Sequence, residues 1–115
     1  MVTLTNVGTV YDTTAASRGL GLQDIDFTGI VQVVFRVRVN KVGTGIQSWQ
    51  LWNDTNGVEI ARIDDAAAAG DNKNLVTTVA VALVGIKTVR VRAKSTLGTD
   101  DPVFYGASVL TVSVP

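Results

Sequence analysis

Two pairs of arginines carry the first chemical possibility: Arg36 and Arg38 within 31–40, and Arg90 and Arg92 within 87–94. Residues two apart in a strand share a face, so each pair projects together. If the two segments lie side by side, the four guanidinium groups form one basic patch. Such a patch repels itself unless carboxylates or an anion sit nearby. It would suit an anion, a sugar acid or the rim of a protein contact. The alternative is a solvated sheet face neutralised by Asp24, Asp26 or Glu59.

Acidic residues gather in two stretches, Asp64, Asp65 and Asp71 in one and Asp100 and Asp101 in the other. Clustered carboxylates are what a hard cation such as calcium requires. Their spacing fits no EF-hand loop, and aspartate is also an ordinary turn residue. Paired carboxylates serve glycosidases too, but only where they flank a cleft. Here they neighbour Gly, Ala and Asn, as loop tips do. Among the aromatic residues, Trp52 lies out of phase with Trp49 and Leu51, which puts it on the opposite face of its strand. A surface tryptophan can stack on a sugar, which keeps carbohydrate open as a ligand, or anchor a subunit interface; the interface is favoured.

Much other chemistry is absent by composition. The 115 residues contain no Cys and no His. Disulfides, thiol catalysis, imidazole bases and the common zinc sites are thereby excluded. With ten basic and ten acidic residues the net charge is zero, and no stacking row of aromatics accompanies the arginines, which argues against nucleic acid. No apolar run approaches the ~20 residues of a membrane span, so no membrane partner is expected. The opening residues lack the basic and apolar regions of a signal peptide. No catalytic residue, metal centre or cofactor is therefore assigned.

The elements that position these residues are strands. Val31, Val33, Phe35, Val37 and Val39 alternate with Gln32, Arg36, Arg38 and Asn40, the pattern of a half-buried strand. Segment 87–94 alternates in the same way and is expected to pair with it. Further strands are read at 22–27, 46–53, 58–63, 75–83 and 103–114, the last interrupted at Gly106. The Asn56-Gly57 step marks a hairpin turn. Residues 64–74, with four consecutive alanines, read as a surface loop. Two short alternating pieces, 2–5 and 9–11, precede a Gly-rich, aperiodic run at 12–21. The expected organisation is an N-terminal segment or arm over 1–21 and a single domain over 22–115. The expected fold is all-β: an antiparallel two-sheet β-sandwich, a jelly roll of about eight strands.

Several strands are apolar on both faces. Val34 and Val76 sit among outward residues, and Leu110, Val112 and Val114 oppose Val109. A sandwich has one inner layer, so surplus apolar surface implies a second cover. Self-association follows, with Trp52, Arg36, Arg38, Arg90 and Arg92 as candidate interface residues.

From 27 to the end, the chain resembles the trimeric jelly rolls of the tumour-necrosis-factor-like and complement-head-like type, as used by phages and other viruses. The resemblance lies in 33–39 leading to Trp49-Gln50-Leu51-Trp52-Asn53, the Asn-Asp-Thr-Asn-Gly hairpin, Val89 to Arg92, and the closing Tyr105-Gly106-Ala107-Ser108-Val109-Leu110-Thr111-Val112. It implies a non-enzymatic virion protein made in the host cytoplasm. Such a protein would be a homotrimer bound to the major capsid protein or another virion component as decoration (cement), or a receptor-binding head on a fibre. A carbohydrate-binding module built on Trp52 and the loop aspartates is the alternative of a different class.

Overall fold

The computed structural model describes residues 2–4, 11 and 22–114. Eight strands occur among them: β1 (Val2–Thr3), β2 (Leu22–Asp26), β3 (Ile30–Lys41), β4 (Gln47–Asn53), β5 (Val58–Asp65), β6 (Gly70–Ala80), β7 (Ile86–Ser95) and β8 (Val103–Ser113). They form two four-stranded antiparallel sheets. The order is β1-β8-β3-β6 in the first, sheet A, and β2-β7-β4-β5 in the second, sheet B.

The topology has a simple generator. Strands β1 and β8, β2 and β7, β3 and β6, and β4 and β5 are all hydrogen-bonded pairs. The chain is thus one long antiparallel ribbon folded at the β4–β5 hairpin and rolled up, and the β3–β8 and β4–β7 pairings close each sheet. That is the jelly roll, and the fold class read from the sequence holds. At the hairpin, Gly57 takes φ +68° and its N–H reaches Asn53 O at 2.9 Å, while the Asn53 side chain accepts from Asn56 N at 3.1 Å.

The core lies between the sheets. Val33, Phe35, Val37 and Val39 of β3 face Trp49 and Leu51 of β4, Ala61 of β5 and Val89, Val91 and Ala93 of β7. Trp49 stacks on Phe104 with centroids 5.7 Å apart. Val31 keeps the inward phase but is exposed, because a register shift between Ile30 and Gln32 carries it past the core.

Two expectations need correction. Strand β3 does not pair with β7: it lies between β6 and β8, and β7 belongs to the other sheet. Nor is 64–74 a loop. Asp64 and Asp65 end β5, and 70–74 begin β6, held by register pairs such as Arg38 with Asn74 and Val39 with Lys73. The ladder offered by β3 overrides the weak strand propensity of Gly, Asp and Asn, and Asn72 absorbs the irregularity at φ +52°. Strand β6 correspondingly stops at Ala80, although Val81 and Leu83 still pack on the core. Of the N-terminal arm, 1, 5–10 and 12–21 lie outside the described residues.

Candidate interaction surfaces

The outer face of sheet A is built by period-two alternation on three adjacent strands. Register places its side chains in rows across β6, β3 and β8: Ala80, Gln32 and Val112; Thr78, Val34 and Leu110; Val76, Arg36 and Ser108; Asn74, Arg38 and Gly106. Leu110 is 61% exposed, Val76 55% and Val114, next in phase just past the end of β8, 64%. An apolar stripe therefore runs from Val76 through Val34 to Leu110, Val112 and Val114. Strand and row spacings give these rows a footprint of roughly 400 Å². No carboxylate stands in them. Arg38 donates to Asn72 Oδ1 at 3.0 Å and lies over the Tyr105 ring at 5.5 Å. Neither Arg36 nor Arg38 has an acidic partner among the described residues.

Arg90 and Arg92 project from the outer face of sheet B, on the far side of the sandwich. The four arginines thus form no common patch; the sheet assignment of β7 separates them. Arg90 pairs with Asp54 at 3.2 Å rather than with the expected Asp24, Asp26 or Glu59. Asp24 instead accepts from the Thr88 hydroxyl at 2.7 Å, and Asp26 from Thr28 N at 3.0 Å, which lowers its pKa. Glu59 accepts from Gln50 Nε2 at 3.0 Å and lies 3.9 Å from Arg62.

Tyr11 caps this second face. Arg92 donates to its carbonyl at 2.6 Å, and the cations of Arg92 and Lys94 lie 5.5 and 4.6 Å from its ring. Burial, reinforced by the charges of Asp64 and Glu59, pushes the Tyr11 hydroxyl up to about 12 against the pull of Ser48 and Arg62. Ser48 and Gln50, outward residues of β4, are buried beneath it. Trp52 is half-buried with Arg92 4.3 Å above its ring, so a sugar would need the ring's other face. Tyr11 ends the short alternating piece 9–11, and that alternation alone does not tell which sheet its ring packs on.

The acidic residues do not converge. Asp64 and Asp65 point to opposite faces, as neighbours in a strand must. Asp64 pairs with Arg62 at 3.4 Å and accepts from the Ser48 hydroxyl at 2.5 Å; Asp65 pairs with Lys73 at 2.7 Å. Asp71 is exposed at the start of β6 and Asp101 adjoins Asp100 before β8. Among the described residues no group of three or more carboxylates could hold a metal ion.

Asp100 is instead a buried tie between two loops. It accepts from Ser95 Oγ at 2.7 Å, Gly45 N at 3.1 Å and Gln47 Nε2 at 3.4 Å. These bonds, the Ser95 hydroxyl foremost, hold its carboxyl below the ordinary range. A Cβ on Gly43, at φ +103°, would lie 2.1 Å from Asp100 Oδ1. The buried Lys41 ammonium donates to Ala67 O close by.

Compared with protein-family models, curated proteins and solved structures, the chain matches none.

Proposed function

We propose that the chain is a non-catalytic virion component, a decoration protein that forms a homotrimer through the outer face of sheet A and binds capsid subunits as that trimer. The observation that carries the reading is the apolar stripe in which Val76, Leu110 and Val114 are exposed and Val34 and Val112 half-buried. Largest patches on monomers span ~300–600 Å² and are often functional. Burying a leucine or valine side chain fully is worth about 1.5–3 kcal/mol.

Charge favours a cyclic assembly over a face-to-face dimer. Stacking two such faces about a twofold axis would bring four guanidinium groups together with no carboxylate between them. In a ring each face meets a different surface of the next copy. That surface can supply acids, and β2 offers the exposed Asp24 and Asp26. A standard interface needs ~800 Å² per partner, so the face of sheet A works together with such flanking contacts. The jelly-roll strand order fits the same reading, as does the resemblance expected from the sequence.

Sedimentation equilibrium on Leu110→Lys and Val76→Lys tests it. Both variants should fold and lose the trimer. Retention of the trimer in both would exclude this face as the contact.

A further inference from the structure

The tip of the β4–β5 hairpin brings together the parts of a covalent reaction. Asn56 is the one asparagine of the 115-residue chain that is followed by glycine, and both residues are exposed. Gly57 has no side chain to shield its nitrogen, and a Cβ built there would meet nothing within 4 Å. Its φ of +68° is one that glycine adopts without steric cost. A main-chain nitrogen therefore lies unshielded one residue beyond the Asn56 carboxamide.

We propose that Asn56 is a site of spontaneous deamidation, and that Asn53 governs its rate by holding the reacting groups apart in the folded hairpin. The Gly57 nitrogen gives its proton to a solvent base and forms a bond to Asn56 Cγ. The Cγ–Nδ2 bond breaks, and Nδ2 takes a proton from water and leaves as ammonia. Water then opens the succinimide ring at either carbonyl, which leaves aspartate or isoaspartate. One water is consumed and one ammonia released, with no oxidant, reductant or cofactor. The site is independent of the trimer reading, because β4 and β5 belong to sheet B.

Asn53 holds both reacting groups. Its Nδ2 donates to Asn56 Oδ1 at 3.0 Å, its Oδ1 accepts from Asn56 N at 3.1 Å, and its carbonyl accepts from Gly57 N at 2.9 Å. Ring closure requires the carboxamide to turn into near-attack contact with Gly57 N, and that nitrogen to release its proton. The first movement breaks the bond from Asn53 Nδ2, and the second the bond to Asn53 O. Asn53 cannot follow the tip outward. It is fully buried and pairs with Val58 on one side and Val89 on the other. Asp54 N to Thr88 O and Thr88 N to Thr55 Oγ1, both 2.8 Å, bind the first half of the tip to β7. Reaction therefore waits for local opening of 56–57. The new carboxylate stands near Asp54 and Glu59 and takes the net charge from zero to minus one. Aspartate keeps the chain length and gives Asn53 Nδ2 a charged acceptor. Isoaspartate adds a methylene to the main chain and displaces Gly57 from Asn53 O.

The test follows the gain of negative charge by ion-exchange chromatography at mildly alkaline pH, with peptide mapping by mass spectrometry to locate it. Conversion should map to Asn56 and speed up with rising pH. In the folded protein it should run about tenfold or more slower than in the same chain unfolded in urea, the scale of two net hydrogen bonds. Asn53→Ala removes both side-chain bonds and should speed conversion of the folded protein about tenfold. Asn53→Asp, which keeps the acceptor and loses only the donor, should also speed it, and serves if Asn53→Ala does not fold. Gly29→Ala, strained in a different turn, should leave the rate unchanged, which separates the loss of Asn53 from a general loss of stability. No conversion at Asn56 even in urea would overturn the proposal. Equal rates in folded and unfolded protein, an unchanged rate in the Asn53 variants, or the same acceleration in Gly29→Ala would overturn it equally.

Discussion

At the scale of single residues, the Asp100 tie is the feature with the sharpest consequences. Gly43→Ala forces a Cβ into the Asp100 carboxylate and requires a left-handed backbone, whereas Gly29, at φ +78°, faces open space. Gly29→Ala should cost about 1–2 kcal/mol, the left-handed penalty alone. Gly43→Ala should cost measurably more in urea denaturation, and equal losses would mean that the contact with Asp100 relaxes freely. The Asp100 pKa lies below its unfolded value, so its contribution is present above the unfolded pKa of ~3.9 and is lost as pH falls through the folded one. Stability should therefore drop below about pH 4, and Asp100→Asn should flatten that slope. Tyr11 has the opposite sign. Its folded pKa is raised, so its contribution is complete below the unfolded value of ~10 and disappears as pH rises through about 12. The difference between tyrosinate titrations of the wild type and Tyr11→Phe should isolate a transition near 12. A transition near 10 would place Tyr11 in solvent, away from Arg92 and Lys94.

At the scale of elements, alternation determines which face a side chain takes but not which strand lies beside it. The inward row of β3, from Val33 to Val39, and the opposed faces of Trp49 and Trp52 could be read from periodicity alone. The partners of β3 could not. Segments 31–40 and 87–94 have the same Arg-x-Arg pattern, and nothing local tells a neighbour in the same sheet from a strand in the opposite one. The apolar stripe was legible because Val34, Val76 and Leu110 break the expected alternation. The Tyr11 contacts and the Asp100 tie were not, since each depends on groups brought together across the roll. The expected energetics follow the same division. Trp49→Ala, in the core, should lose about 3–5 kcal/mol of stability by denaturant titration. Leu110→Lys, outside it, should change protomer stability by less than about 0.5 kcal/mol. A large loss at Leu110 would mean that the outer face is part of the protomer's own core.

At the scale of the whole molecule, the sandwich is asymmetric. The outer face of sheet B is capped by Tyr11 and knit by Arg90–Asp54, Gln50–Glu59 and Arg62–Asp64 contacts, so its charges are spent within the chain. The outer face of sheet A keeps two arginines with no acidic partner among the described residues, beside an apolar stripe, although the chain's net charge is zero. A molecule balanced overall but unbalanced across its two faces is suited to ordered contact with another surface, and a ring of copies satisfies both the apolar stripe and the arginines. The most direct measurement is the solution mass of the protein by light scattering across a dilution series. The proposed trimer through sheet A predicts three times the 12.1 kDa chain mass, held on dilution and lost in Leu110→Lys. A single-chain mass at every concentration, unchanged by that substitution, would contradict it.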